Sequence, residues 1–472
     1  MGMAGVFKTG QSGMNVARAA IATTGHNISN ANSEGFSRQR VQSAPNETRT
    51  AAGSHGYVGS GAIISRIERV NDQYIEKQLR NGAKDLAHFE EKDLVLGQVE
   101  DVFNEMHGDG LNRLIATFFN EFRRLSNEPD NEAVRQSVRE ASQALVGDFH
   151  RLRKEVEEVR RHIDARLENY TTEINAISDE IKELNLKINI LENSGAPAND
   201  LSDKRDVALK KLATYMNLNT HKDNNNNTIV EISGVGPLVT GGRSEKFSTA
   251  RSPKDDQGKQ EGSLDLVSTS SVQAVVTHQI KGGKLGALLE IRDQTLSTIV
   301  DRLDDLAYAL TNTVNEIHIQ GFTRNGLTNV EFFKPISKER AAEFLELSDA
   351  VRDNVNNIAA AAMPEAPGDN RIALVISGLQ NMRLMNEGNA TMDDWYNSIV
   401  SDVGVAAAKT KFGLNQQRDI ITQLNRMRDQ ISGVSIDEET ANLMQFQHAF
   451  DASAKVIQVA DEMLKTVLEL KR

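Results

Sequence analysis

The chain has 472 residues, 39% of them hydrophobic and 25% charged, with 66 Asp and Glu against 54 Lys and Arg for a net charge of −12. That length leaves room for about three domains, and the acidic balance argues against bulk attraction to nucleic acid or an anionic membrane surface. With no cysteine, disulfides, thiolate metal sites and a Cys nucleophile are excluded; aromatic residues, at 5%, are sparse in the manner of long exposed helices rather than of a large enzyme core.

The N-terminal run carries a heptad phase. Phe7, Met14, Ile21 and Ile28 share one position, while Gly10, Ala17 and Thr24 follow three residues later. Large residues beside small ones suit close packing of a second helix. Four large side chains do not offset the entropy of ordering the whole segment, so this helix requires a partner from its own chain or a neighbour. No apolar stretch approaches the length of about 20 residues that crosses a bilayer. Lys8 is not followed by a continuous apolar segment, so no cleaved secretory signal is read, and export would use another route.

Next comes NISNANSEGFSRQRV, residues 27–41. Asn30, Asn32 and Ser33 compete for backbone hydrogen bonds and suit a helix end, and Gly35 permits a turn. Phe36 and Val41 are expected to anchor an exit strand, with Arg38, Gln39 and Arg40 meeting neighbouring subunits.

Helices are predicted around 68–92, 109–125 and 130–150, and again from 155 to 191. In the last, Ile163, Leu167, Tyr170, Ile174, Ile177, Ile181, Leu184, Ile188 and Leu191 keep a 4-3 pattern. NSGAPAND breaks it. DLSDKRD at 200–206 reads as a solvated first turn with local ion pairs, opening a helix over 202–217. Residues 218–282 are the exception. NNNNTIVEI, GVGPLVTGG and GSLDLV are short strands between turn residues. A second striped helix spans 285–319 through Leu289, Leu296, Leu303, Leu310 and Ile317. GFTRNGLTNVEFF at 321–333 predicts a hairpin within 321–345, with EFLELS as a short strand. Helices follow at 392–408 and 414–431. Ser435 and Glu438 form an S-x-x-E capping box opening the last helix, and DEE at 437–439 reads as an exposed acidic first turn. Its seam runs through Leu443, Phe446, Phe450, Ile457, Leu464 and Val467.

Chemistry-bearing motifs are lacking. Ten histidines show no H-E-x-x-H spacing, and no G-x-S-x-G, phosphate loop or dinucleotide fingerprint occurs. His162, His318 and His448, in or beside helical stripes, read as structural. No catalytic, cofactor-binding or metal-binding residues are assigned, and the chain is read as a non-enzyme. The expected fold is mainly α: an elongated long-helix coiled-coil or bundle rod with paired N- and C-terminal helices and a small β-rich insertion. Three units are expected: a terminal coiled-coil domain (1–45 with 432–472), a helical rod (46–217 with 283–431) and a β-rich outer insertion (218–282).

Specific residues then resemble a family. NISNANSEGFSRQRV is similar to the N-terminal signature of bacterial flagellar axial proteins, the rod, hook and hook-associated components, through Asn27, Ile28, Ser29, Asn30, Ala31, Asn32, Gly35, Phe36, Arg38 and Gln39. Phe36 stands where the family more often has Tyr. GYVGSGAIISRIERVNDQYIEKQLR (56–80), APANDLSDKRDVALKKLATYMN (196–217), GGKLGALLEIRD (282–293) and SGVSIDEETANLMQFQHAFDASAKVIQVADEML (432–464) resemble the hook–filament junction members. A sizeable β domain of longer members, after the position of EFF at 331–333, is reduced here. The resemblance implies a structural adaptor at the distal end of the hook, permitting filament attachment in flagellum assembly and motility. It implies a ring of copies of itself between the hook protein and the second junction protein (hook-associated protein 3), with terminal helices lining a channel. It further implies a flagellar export chaperone as partner and an extracellular location on the flagellum, reached by type III export without a cleaved signal. Nucleic acid, membrane insertion and cofactors form no part of it. The alternatives are another rod or hook axial protein, an autonomous coiled-coil scaffold or adhesin, and an enzyme hosted in the insertion, which has only His221 and His278 to offer as histidines.

Overall fold

The computed structural model describes residues 3–46, 49–50, 57–103, 110–223, 227–251, 263–269, 274–366 and 368–469. Helix α1 (Met3–Ser29) leads into an arm in which β1 (Gln39–Pro45) pairs antiparallel with β4 (Ala62–Arg69). The short β2 (Arg49–Thr50) and β3 (Tyr57–Val58) pair at its far end. The helix predicted from 68 therefore starts later, as α2 (Gln73–Val102), where the Asp72 carboxylate accepts the Tyr74 N–H at 2.8 Å. The β1–β4 pairing also crosses the 45/46 boundary drawn from sequence.

After α3 (Leu111–Asn127), α4 (Glu132–Asn193) is one helix of 62 residues, about 93 Å at 1.5 Å per residue. Two helices were expected here. The charged stretch RLRKEVEEVRR contains no Gly or Pro, and Leu145, Leu152, Val156 and Ile163 carry the buried stripe through it unbroken. Helix α5 (Asn199–Ala213) returns alongside α4. The insertion then forms two small antiparallel sheets. One holds β5 (Leu218–Lys222), β6 (Thr228–Ile232), β7 (Gly236–Thr240) and β8 (Arg243–Ser244). The other holds β9 (Phe247–Arg251), β10 (Leu264–Ser268) and β11 (Ala274–Val275). Both sit on the end of α4. Asn175 accepts the Phe247 N–H at 2.9 Å and donates to its carbonyl at 2.8 Å, and Asn185 donates to the Thr228 carbonyl at 2.9 Å.

The second striped helix is α6 (Gly283–Glu290) continued through a π turn (Ile291–Leu296) into α7 (Ser297–His318). In the π turn the buried Arg292 binds Asp164 of α4 at 2.9 Å, Asp293 at 2.7 Å and the Leu264 carbonyl of β10 at 2.7 Å. It ties rod to insertion.

No hairpin forms at 321–345. Phe332 and Phe333 are both buried, which defeats the alternation a two-faced strand needs. The Asn315 side chain accepts both of their N–H groups, at 3.0 and 2.9 Å, and donates to the Phe333 carbonyl at 2.9 Å. Those are the backbone groups a partner strand would use. Single bridges, Phe322 to Ala361 and Phe333 to Leu347, replace it. Only Glu343 and Phe344 of EFLELS belong to the short helix α8 (Ala341–Phe344), and Leu347 makes the bridge; α9 (Asp349–Asp353) and α10 (Arg371–Gly378) follow. Phe118, Phe122, Phe332 and Phe333 pack edge-on at this end of the core.

The two helices expected at 392–408 and 414–431 are one, α11 (Met392–Ser432), opened by a reciprocal Thr391–Asp394 capping box. It runs antiparallel along α2, where Arg428 meets Glu76 at 3.0 Å and Gln417 donates to the Gly82 carbonyl at 3.2 Å. Helix α12 (Ile436–Glu469) closes the chain by packing along α1. The architecture is mainly α, with long paired terminal helices and a small sheet insertion. No helix among the described residues is long and apolar enough to cross a membrane.

Candidate assembly interface

The terminal pair is an antiparallel hairpin built on small residues. A Cβ at Gly10 would stand 2.7 Å from Ile457 Cγ1 and 3.2 Å from the Ser453 carbonyl, and one at Gly13 would stand 2.7 Å from Ser453 Oγ. Glycine lets the two backbones approach this closely. The buried residues of α1 are Gly10, Ala17, Ala20, Thr23, Thr24 and Asn27. Of the large seam residues, Met14, Ile21 and Ile28 are half-buried and Phe7 is exposed; on α12, Leu443, Phe446, Phe450 and Ile457 are half-buried, while Leu464 and Val467 lie open. The hairpin within one chain thus uses the small stripe. At the free end of the hairpin Phe7, Leu464 and Val467 stand open, at 46%, 44% and 49% exposure; Leu464 and Val467 continue the α12 face that packs on α1 through Ile457 and Ala460. Met463 and Leu468 extend that open apolar surface.

Below the hairpin the Asn-rich stretch forms a joint. Asn30 Nδ2 donates to the His26 carbonyl at 3.0 Å and Ser33 Oγ to Asn30 Oδ1 at 3.3 Å, closing α1. Gly35 turns with φ of 75°, and a Cβ there would lie 2.1 Å from Val207 Cγ2 of α5. Phe36 meets His26 edge-on at 5.5 Å. Asn27, 1% exposed, donates to the Gln39 carbonyl at 2.9 Å and to Glu439 Oε2 at 3.0 Å, and accepts the Gln39 N–H at 2.9 Å. Ile28, Ser29, Ala31 and Asn32 sit on the outer turns of the same segment.

Two sequence-based expectations change here, at DLSDKRD and DEE. Arg38 and Gln39, expected with Arg40 to meet neighbouring subunits, also have partners within the chain. Arg38 donates to Glu438 at 3.0 Å and through its N–H to the Ser432 carbonyl at 2.9 Å, and Gln39 donates to Asp200 at 2.7 Å. DLSDKRD is not a solvated turn. Asp203 is buried, accepting the Ser37 N–H at 3.1 Å and Arg69 at 2.7 Å, while Asp206 takes Arg69 at 2.8 Å. Burial disfavours the Arg69 charge, but Asp206 and Asp203 together outweigh it and raise its pKa. DEE is not wholly exposed either, because Glu439 is buried against Asn27. Nothing in the local pattern signals these contacts, since the partners lie on other elements. Six elements, α1, β1, β4, α5, α11 and α12, converge on this joint.

Of the histidines, His318 is buried with Nδ1 facing the Val330 carbonyl at 2.6 Å, and its Nε2 accepts the Ala359 N–H at 2.8 Å. His162 and His448 are exposed. Among the described residues no group of three or more His, Asp or Glu is placed to hold a metal ion.

A family model described as the flagellar hook-associated protein FlgK helical domain matches residues 96–333. Models for the flagella basal body rod protein and for the flagellar basal body rod FlgEFG protein C-terminal match residues 7–36 and 429–470, the two arms of the terminal hairpin. The chain is 25% identical to flagellar hook-associated protein 1 of Bacillus subtilis (strain 168), across 98% of this chain and 97% of that protein. Against the protein of the same name from Escherichia coli (strain K12) it is 24% identical, across 99% and 100%. That alignment runs over 552 positions, more than the 472 residues here, so the relative carries added segments. The flagellar hook junction protein FlgK from Burkholderia pseudomallei shares the fold, with a TM-score of 0.66 and 17% identity over 75% of this chain and all of that one.

Proposed function

This chain belongs to the flagellar hook-associated protein family and is a structural protein of the hook–filament junction; we propose that it works there by building a shared tube from its terminal hairpins. The observation that carries this reading is the hairpin's open apolar end: small residues close α1 on α12, and Phe7, Leu464 and Val467 stay exposed at its free end. Apolar surface of that kind is covered when copies pack side by side. Phe7, Met14, Ile21, Ile28, Leu443, Phe446, Phe450, Ile457, Leu464 and Val467 form the proposed assembly seam. The signature residues from Asn27 to Gln39 hold the hairpin to the rod.

In the same proposal the terminal hairpin, the helical rod and the outer insertion are three working units. Copies form a ring on the distal end of the hook, touching the hook protein below and hook-associated protein 3 above. The chain reaches this extracellular place through the flagellar type III exporter, escorted by an export chaperone. The role is mechanical rather than enzymatic.

Deleting the gene and imaging the hooks tests the function. Hooks without filaments, with unpolymerised flagellin released into the medium, are expected. Filaments of ordinary length on the deletion strain would contradict it.

A further inference from the structure

Between the first half of α2, α5 and the β5–β6 edge of the insertion lies an open cleft of about 870 Å³. Its walls carry six Lys and Arg side chains against three carboxylates, on a chain whose total charge is −12. The carboxylates are already engaged. Asp206 binds Arg69 at 2.8 Å, Asp85 binds Lys84 at 3.1 Å, and Glu76 is drawn to Arg428 at 3.0 Å. Lys77, Arg80 and Arg205 have no ion-pair partner among the described residues. Lys77 is exposed, and Arg80 reaches only Thr220 Oγ1, at 3.4 Å.

Arg205 is the second, independent sign. It is 5% exposed, its one side-chain hydrogen bond runs from NH1 to Asn185 Oδ1 at 3.1 Å, and its Nε has no partner. A buried guanidinium left partly unsatisfied is costly unless an anion completes it. The remaining wall is rich in side-chain amides, which suit carboxylate recognition and not an apolar ligand.

We propose that this cleft receives the carboxylates of an acidic segment from an adjoining copy of this chain. Copies of so acidic a protein repel one another unless basic surface on one meets acidic surface on the next. The cleft also adjoins the joint directly, because Arg69 and Asp206 belong to both. The proposal rests on the reading that copies of the chain pack side by side at the junction.

Zero-length carbodiimide cross-linking of intact hook–junction assemblies, followed by peptide mass spectrometry, tests it. The expected product joins Lys77 or Lys84 to an Asp or Glu of the same protein that lies beyond reach within one copy. Links only to a different protein, only within one copy (as Lys84 to Asp85), or none at all overturn the proposal. Absence of the chain from such assemblies would instead count against the junction function. In parallel, the full-length K77E/R80E variant is expected to unfold within about 2 °C of the parent, because both side chains lie at the cleft surface. Its incorporation at the hook tip is expected to fall at least tenfold. Undiminished incorporation overturns the proposal, and the cross-link decides the matter should the variant fold poorly.

Discussion

Asn27 on α1 donates to Glu439 on α12 at 3.0 Å, joining positions 412 residues apart, and the same side chain clamps both backbone groups of Gln39. One amide therefore sets where the terminal hairpin leaves the rod. Asn27→Ala would leave the Gln39 N–H and carbonyl and one Glu439 oxygen buried without their partner. Unsatisfied buried polar groups cost about 1–3 kcal/mol each. The full-length variant should lose amide protection in the arm from 30 to 45 while α4 stays protected. Hydrogen exchange with peptide-level readout checks this, and unchanged protection at the joint would contradict it.

Close helix approach makes a second expectation. Gly10→Val places methyl groups where Ile457 Cγ1 and the Ser453 carbonyl stand, so the hairpin must open. Filament attachment should be lost. Gly25→Ala, on the same helix with nothing within 4 Å of its Cβ, should instead stabilise α1 by about 0.5–1 kcal/mol and keep attachment. A motility assay with flagellar imaging separates the two variants.

The open end of the hairpin should respond to charge without loss of fold. Leu464 is open in the single chain, so Leu464→Asp is expected to shift stability by no more than about 0.5 kcal/mol. Secretion should persist while filament attachment fails. Phe450→Asp, half-buried in the hairpin, should likewise be secreted and fail at the junction. Normal filaments on either mutant would remove the seam from the account.

Acid should weaken the rod through His318. Full burial lowers its pKa to about 4, with the Arg135 charge acting in the same direction. In the unfolded chain it titrates near 6.5. The folded state therefore binds fewer protons than the unfolded state between these values. Stability from this group is intact above about pH 6.5 and is lost as pH falls toward 4, at about 1.4 kcal/mol per unit. His318→Asn should flatten that part of the curve, measured by denaturant unfolding between pH 4 and 7.

Where spacing alone decides the structure, the sequence was readable. Of the stripe from Ile163 to Leu191, all but the half-buried Tyr170 and the exposed Leu191 lie on the buried face of α4, and Asn30 and Ser33 close α1 as their side-chain chemistry requires. Helix breaks were over-read, because a charged stretch without Gly or Pro, such as RLRKEVEEVRR, interrupts nothing. Long-range polar partners were invisible. Asp203 looks like any acidic first-turn residue until the fold brings the Ser37 N–H, 166 positions away, against it. Asn315 gives no local sign that it will occupy the backbone of Phe332 and Phe333 and cancel a hairpin. The seam was legible as a heptad, but its division of labour was not. The small residues, and not Phe7 or Met14, hold the hairpin shut within one chain.

The central claim is that the rod folds by itself while the terminal hairpin is completed by neighbouring copies. Hydrogen exchange on a verified monomer and on assembled hook junctions tests it most directly. The account predicts equal, strong protection of α4 and α7 in both samples, with α1 and the outer half of α12 protected only in the assembly. Strong protection of residues 3–29 in the monomer, matching that in the junction, would contradict it.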